Sequence, residues 1–112
     1  MVRGSGSTPA SVALIYTVYI RRVAERDVAE AQSWYENQRS GLAREFHAEF
    51  STTLIRIAET PLVYPTIYRN VRRVVLHRFP YLVWYQVQNS LVTILACTHG
   101  KADPDKVTAR LQ

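Results

Sequence analysis

The chain has 112 residues, of which 47% are hydrophobic and 21% charged, and its formal net charge is +5 at pH 7. This length suits one domain with its own core, and this composition excludes a wholly disordered chain. The single cysteine, Cys97, excludes an intramolecular disulfide framework. No apolar run reaches the roughly 20 residues that a membrane-spanning helix needs, so we expect a cytoplasmic protein without a membrane partner.

The positive charge is concentrated in the second half of the chain. Residues 23–60 carry four arginines against seven carboxylates, whereas residues 61–112 carry seven arginines and lysines against Asp103 and Asp105. Arginine favours bidentate contact with carboxylates and phosphates. The pattern therefore suits an acidic protein partner or a nucleic acid, and a solvated basic face is the alternative reading.

The first half of the chain predicts a leader, a strand and a helical hairpin. Residues 1–12 form a flexible leader, natural or appended, and residues 13–112 form one domain. The β-branched and aromatic run at 14–20 predicts a strand. Apolar residues at helical spacing predict helices over 23–38 and 42–60, with Ser40 as the N-cap of the second. Because the link between them is short, the two helices should pack antiparallel.

The second half predicts a β-meander and a short final helix. Residues 61–70 are a loop with a short strand at "TIY", followed by strands at 71–79, 81–87 and 91–99. The last strand is nearly all apolar and should be interior, with the first strand paired beside it. A helix over 103–111 should begin with Asp103 as N-cap and Pro104 at its first position.

The predicted fold is therefore α+β. An N-terminal strand and an antiparallel helical hairpin pack on a curved, mainly antiparallel sheet of four to five strands, and a short C-terminal helix ends the chain.

Basic residues in the strand after residue 70 divide between two predicted faces, because alternate side chains of a strand share a face. Arg72 should point toward the helices and form an ion pair with Glu45 or Glu49. Arg73 and His77 should share the opposite, open face and be available for function.

Aromatic and metal-ligating residues give weaker indications. Trp34 and Tyr35 on the first helix could stack on bases, but core positions are the favoured interpretation for both. His99 ends a strand without a second ligand at sensible spacing, so no metal and no cofactor is expected. Cys97 should be a buried, inert thiol.

Four segments together resemble the RelE/ParE superfamily of bacterial toxins. They are "DVAEAQSWYENQRSGLAREFHAEF", "ETPLVYP", "VRRVVLHRFPYLVWYQV" and "ILACTHGKADP", and the resemblance covers about residues 14–111. It implies the fold described above and a toxin of a type II toxin–antitoxin system. Such a toxin inhibits growth, stabilises plasmids and is encoded beside an antitoxin that neutralises it by tight binding.

The resemblance implies one of two activities. RelE-like members enter the ribosomal A site and cleave mRNA, using Lys and Arg on the middle strands, an Arg after the last strand and a Tyr near the C-terminus. ParE-like members inhibit DNA gyrase and are not nucleases. Here Arg73 matches one cationic position, but Val75, Leu82 and Ala102 replace others, and "DKVTARLQ" has no Tyr. A ParE-like protein that binds gyrase is therefore favoured over an enzyme.

Two alternatives remain open. A metal-free mRNA endoribonuclease could use an altered set, namely Arg73, His77, His99 and Lys101, since His acts as acid and base near neutral pH. An inactive descendant would only bind its partner.

The partner predictions name two sets of residues. The expected antitoxin is ParD- or RelB-like, acidic and partly disordered when free, and operator DNA is contacted only through it in a toxin–antitoxin hetero-oligomer. The candidates for binding the target, gyrase or the ribosome, are Arg73, His77, Arg78, Lys101 and Arg110. The candidates for binding the antitoxin are Trp34, Tyr35, Arg69, Arg73 and Trp84.

Overall fold

A computed structural model of the protein describes residues 16–111. The predicted leader and the start of the predicted first strand lie outside this part of the chain. In chain order the elements are β1 (Thr17–Ile20), α1 (Arg22–Gln38), α2 (Leu42–Glu59), β2 (Thr66–Tyr68), β3 (Val71–Val75), β4 (Tyr81–Gln88), β5 (Leu91–His99) and α3 (Pro104–Arg110).

The strands form one sheet in the order β1-β5-β4-β3-β2. Strands β2 to β5 are antiparallel neighbours, whereas β1 pairs parallel with β5, with Thr17 opposite Leu91. A parallel pair needs a long crossover connection, and the helical hairpin contributes to the one here. The predicted interior position of the last strand, and the pairing of the first strand beside it, are confirmed.

The hairpin of α1 and α2 packs on one face of the sheet. Phe46, Phe50 and Ile57 follow one another on α2 at about one and then two helical turns, so they share a face, and all three are buried. They meet buried side chains of α1 and of the sheet in one core, which includes Ala24, Val28, Ala31, Val74, Val83, Tyr85, Val92 and Ile94. The spacing that predicted the helices therefore also predicted their buried faces.

The link between the helices is capped differently from the prediction. Gly41, and not Ser40, is the N-cap of α2, and its φ of 94° lies in the left-handed region that glycine tolerates best. The Glu36 carboxylate accepts hydrogen bonds from the Gly41 N–H at 3.1 Å and from the Ala43 N–H at 3.0 Å. A carboxylate from the preceding helix thus replaces the predicted serine hydroxyl, and it suits the positive end of the helix dipole.

Strand β3 ends at Val75, four residues before the predicted end. Glu49 on α2 accepts hydrogen bonds from the backbone N–H groups of His77 and Arg78, so these groups do not continue the ladder. Phe79 then turns into the core, where its ring lies 5.1 Å from that of Phe46. The predicted alternation of side chains between the two sheet faces therefore ends at Val75 and does not extend to His77 or Phe79.

Helix α3 covers part of the sheet face opposite the hairpin. Val107 and Leu111 pack there on a second core that includes Val71, Trp84 and Leu95. The Asp103 side chain accepts the Asp105 N–H at 3.0 Å and Pro104 occupies the first turn, which confirms the predicted helix start. The face predicted to be open is therefore partly closed by this helix.

Candidate functional site

Arg72 lies on the helix side of the sheet as predicted, but its predicted ion pair is wrong. Its guanidinium donates hydrogen bonds to the carbonyl oxygens of Leu62, at 3.2 Å, and Tyr64. The loop after α2 brings these carbonyls to it, while Glu45 and Glu49 bond to the turn after β3. Arg72 is therefore a structural residue that ties the loop to the sheet.

His77 does not share a face with Arg73. Its Nε2 lies 3.1 Å from Nη1 of Arg56 on α2. Since a guanidinium only donates hydrogen bonds, this contact requires an unprotonated Nε2 that accepts. His77 thus faces the helical hairpin, and the predicted pair of Arg73 and His77 is not brought together.

Two predicted target-binding residues form ion pairs within the protein. Arg78 Nη2 lies 2.5 Å from Glu45 Oε1 and holds the turn against α2. Arg110 Nη2 lies 2.7 Å from Asp27 Oδ2 and fastens α3 to α1. The Arg78 side chain is still 60% exposed and can contact a partner. The Arg110 side chain is 36% exposed, and its guanidinium links two helices of the protein itself. The Arg110 pair was missed because its partners are 83 residues apart in the sequence.

Three of the remaining candidates, Arg73, Trp84 and His99, meet at a cleft beside α3, which we call the α3 cleft. It has a volume of about 260 Å³ and lies on the sheet face opposite the hairpin. Its lining residues come from β2, β3, β4, the end of β5, the link after β5 and α3. They are Ile67, Tyr68, Arg73, Leu82, Trp84, Thr98, His99, Gly100, Ala102, Pro104, Val107 and Thr108.

Arg73 and His99 supply the charged and titratable groups of the α3 cleft. The Arg73 guanidinium lies 5.4 Å from the centroid of the Trp84 ring, in cation–π contact. The His99 Nδ1 accepts the backbone N–H of Lys101 at 3.0 Å, so a neutral His99 ring carries its proton on Nε2. Lys101 meets His99 through its backbone, and its side chain does not line the cleft.

Apolar side chains stand where the resemblance implies cations. Leu82 and Ala102 both line the α3 cleft. Val75 pairs with Leu82 across the β3–β4 ladder and is 55% exposed. Two of the three substitutions thus line a largely apolar cleft that has one guanidinium and one imidazole, and the third, Val75, lies outside it. The wall residues Ile67 and Tyr68 were missed because a strand of three residues gives little periodicity.

The aromatic candidates divide between core and surface. Tyr35 stacks on Phe46 with centroids 5.7 Å apart and packs against the main core, as predicted. Trp34, predicted to be core, is 57% exposed, since its position on α1 points away from the sheet. Trp84 is buried under α3, and its Nε1–H donates to Thr98 Oγ1 at 2.9 Å.

Arg69 lies at the turn between β2 and β3, close to the α3 cleft. Its φ is 53°, and its guanidinium lies 5.2 Å from the centroid of the Tyr68 ring, which lines the cleft. The sequence predicted Arg69 as a binding residue but gave no sign of this stacking.

Cys97 is buried on β5, and burial raises the pKa of its thiol to about 12. The predicted burial is therefore confirmed, and a thiol that is protonated at neutral pH is a poor nucleophile. Within residues 16–111, no three His, Cys, Asp or Glu side chains are grouped to hold a metal ion, and no helix is long and apolar enough to cross a membrane.

This fold, with a helical hairpin on a five-stranded sheet and a short C-terminal helix, is that of the RelE/ParE toxins. A chain of the chromosomal ParDE system from P. aeruginosa superposes with a TM-score of 0.69 at 16% identity, over 76% of this chain and 96% of that one. A chain of the RelBE2 toxin–antitoxin complex from Mycobacterium tuberculosis gives 0.53 at 21% identity, over 75% and 96%. The isolated E. coli RelE toxin gives 0.54 at 14% identity, over 84% and 94%.

The model of the ParE toxin of the type II toxin–antitoxin system parDE matches residues 18–104. The chain therefore belongs to the ParE toxin family. It is also 27% identical over 88 residues to Toxin ParE2 of Mycobacterium tuberculosis, a match that covers 78% of this chain and 84% of that toxin.

Proposed function

We propose that the protein inhibits growth by binding DNA gyrase and that a cognate antitoxin neutralises it. The observation that carries this proposal is the apolar character of the α3 cleft. Cleavage of RNA without a metal needs a base for the 2′-OH, cations for the crowded phosphorane and an acid for the leaving oxygen. Leu82 and Ala102 occupy the cleft wall instead of further cations.

An inhibitor that acts by binding needs an accessible surface and no catalytic set. Within the described chain, the guanidinium of Arg73 forms no ion pair, and Lys101 is exposed. Both remain candidates for contact with gyrase, together with the exposed Arg78. Arg110 is removed from this set because its guanidinium is engaged by Asp27.

The antitoxin proposal is supported by relatives that were solved as pairs. The similar chains from P. aeruginosa and Mycobacterium tuberculosis come from a ParDE system and a RelBE2 complex. For this chain we propose an acidic, ParD-like antitoxin that is partly disordered when free. The resulting hetero-oligomer contacts operator DNA through the antitoxin and stabilises the plasmid or locus that encodes it.

One observation favours a second function. Arg73 and His99 line the same cleft, so a phosphate-binding guanidinium and the Nε2–H of a neutral His99 ring, which can donate a hydrogen bond to a phosphate oxygen, come from one surface. A ribosome-dependent mRNA endonuclease with this reduced set is therefore the second candidate. His77 is excluded from it by its place beside α2.

Induction of the protein in a bacterial host distinguishes the two functions. Growth, plasmid supercoiling and mRNA 5′ ends are scored in parallel for the unaltered protein, His99→Gln and Arg73→Gln. The proposal predicts growth arrest with loss of negative supercoiling, intact mRNA and full toxicity of His99→Gln. Cleaved mRNA that disappears in His99→Gln would instead establish the endonuclease, and normal growth would indicate a protein that only binds its partner.

A further inference from the structure

The α3 cleft has several apolar lining residues, and no carboxylate of residues 16–111 lines it. Leu82, Trp84 and Val107 are among the lining residues, and so is Ile67, which is 46% exposed. Its volume of about 260 Å³ falls below the roughly 300–1,000 Å³ that is usual for small-molecule sites. The cleft is therefore sized for one apolar side chain.

Two guanidinium groups beside the cleft lack a carboxylate partner. Arg73 stacks on Trp84 and Arg69 on Tyr68, and both rings line the cleft. Among residues 16–111 neither arginine forms an ion pair, in contrast to Arg78, which binds Glu45. A guanidinium has five N–H donors, so a cation–π contact with a ring leaves donors for a carboxylate. These two groups are thus available to bind acidic residues beside the cleft.

The positive charge near the cleft also favours an acidic partner. Residues 61–112 supply all the lining residues, but of their seven arginines and lysines Arg72 and Arg78 lie on the hairpin side and Arg110 pairs with Asp27. The other four form no ion pair in the described chain, and the same residues contain only two aspartates. Of these aspartates, Asp103 is engaged as the N-cap of α3. An acidic chain is attracted to this face, whereas a basic chain is repelled.

We propose that the α3 cleft anchors the antitoxin. One apolar side chain of an acidic antitoxin segment enters the cleft, and carboxylates on either side of it bind Arg69 and Arg73. The inference rests on the proposed neutralisation by an antitoxin and adds the anchoring site and the pattern acidic–apolar–acidic. A buried apolar anchor ringed by charge-assisted hydrogen bonds is the arrangement that dominates binding energy in protein interfaces.

Tryptophan fluorescence tests this site directly on the full chain. The protein has two tryptophans, so Trp34→Phe leaves Trp84 in the cleft as the reporter. The probe is the acetylated and amidated peptide EDLED. We expect a saturable change of Trp84 emission, and an affinity about tenfold lower in Arg73→Gln, because a charge-assisted hydrogen bond is lost. Ala102→Phe, which fills the cleft and keeps both arginines, should weaken binding at least as much.

Matched controls separate the cleft from general attraction to charge. Arg78→Gln, on the hairpin side of the sheet, should bind EDLED unchanged, and the peptides EDSED and KKLKK should bind at least about tenfold more weakly. Equal binding of EDSED or KKLKK overturns the inference, as does binding that is unchanged in both Arg73→Gln and Ala102→Phe. A short single-stranded RNA that binds more tightly than EDLED through the same residues also overturns it and assigns the cleft to nucleic acid.

Co-purification with the product of the adjacent gene separates this inference from the proposed function. Reduced capture by Arg73→Gln and Ala102→Phe, with normal capture by Arg78→Gln, supports the anchor. Normal capture by all three variants overturns the anchor and leaves neutralisation by an antitoxin standing. Failure of the unaltered protein to capture that product overturns both.

Discussion

At the scale of single residues, Glu49 determines the path of the chain between β3 and β4. Its carboxylate reaches from α2 to the backbone N–H groups of His77 and Arg78, 28 and 29 residues away in sequence. These contacts stop the β3 ladder and allow Phe79 to enter the core. One side chain on α2 thus holds the turn between β3 and β4.

Replacement of Glu49 by Ala should therefore destabilise the protein by about 1–3 kcal/mol, the usual cost of hydrogen bonds to a charged group. Chemical denaturation measures this loss of unfolding free energy. Glu59→Ala is the matched control, because within residues 16–111 the Glu59 side chain forms no hydrogen bond or ion pair. Equal stability of the two variants would show that Glu49 does not hold the turn.

Residue-scale predictions from sequence succeeded where a local rule decides the outcome. Asp103 and Pro104 begin α3 because cap chemistry depends on adjacent residues. Arg72 was placed on the correct face, but its partners are carbonyl oxygens of a loop. The nearest acceptor of a long side chain depends on tertiary packing, which strand periodicity does not contain.

At the scale of elements, Glu36 connects α1 to the start of α2. Its pKa is held below the usual range by the backbone N–H groups of Ala43 and Gly41, and the pKa of Glu45 is lowered by its hydrogen bond from Arg78. A carboxyl with a lowered pKa in the folded state stabilises the fold above its unfolded pKa. That stability is lost as pH falls through the folded value.

Acid should therefore destabilise the link between α1 and α2, and Glu36→Gln should make the stability of the protein less dependent on pH. Between pH 6 and pH 3, we expect a smaller fall of Tm in Glu36→Gln than in the unaltered protein, with a lower Tm at pH 6. Thermal unfolding followed by circular dichroism measures both. Glu59→Gln should keep the original acid dependence, and an unchanged dependence in Glu36→Gln would contradict the capping role.

Helix α3 depends on few contacts with the rest of the fold. It is a helix of seven residues, fastened by Val107, by Leu111 after its end and by the pair of Arg110 with Asp27. A helix this short is not stable by itself in water. Its position over the sheet, and with it the wall of the α3 cleft, is therefore set by these contacts.

Arg110→Gln should loosen α3 while the sheet stays intact. A partly exposed ion pair stabilises by about 1 kcal/mol, so its loss should raise the equilibrium constant for local opening of α3, and with it the exchange rate of the α3 amides, roughly fivefold. Hydrogen exchange of the amides of residues 107–111 measures this opening. Lys106→Gln, on the same helix and without an ion pair in the described chain, is the control. Equal exchange in the two variants would show that Asp27 does not fasten the helix.

The elements themselves were largely predictable, because apolar spacing differs between helices and strands. The helical hairpin followed from that spacing, and the strand order followed from the meander, the nearly all-apolar last strand and the need to cover its edge. The early end of β3 and the cover of the sheet by α3 did not, since both depend on contacts between distant residues, Glu49 with the turn and Val107 with Trp84. The α3 cleft is a product of those contacts, so the sequence predicted some of its residues and not their assembly.

At the scale of the whole molecule, the two sheet faces have different roles. One face is filled by the helical hairpin, and the other carries the α3 cleft and the guanidinium groups of Arg69 and Arg73. If gyrase and the antitoxin both require this cationic face, neutralisation follows from occlusion. In this account the toxin acts as a stoichiometric binder and not as an enzyme.

Titration of the purified protein into a gyrase supercoiling reaction distinguishes a stoichiometric binder from an enzyme. For a stoichiometric binder, we expect inhibition that rises in proportion to the toxin added, reaches completion at a fixed ratio of toxin to gyrase and is unchanged in His99→Gln. A programmed ribosome incubated with the same preparation should retain intact mRNA. Gyrase activity that persists at a large excess of toxin, together with mRNA cleaved by substoichiometric toxin, would show instead that the protein is a nuclease.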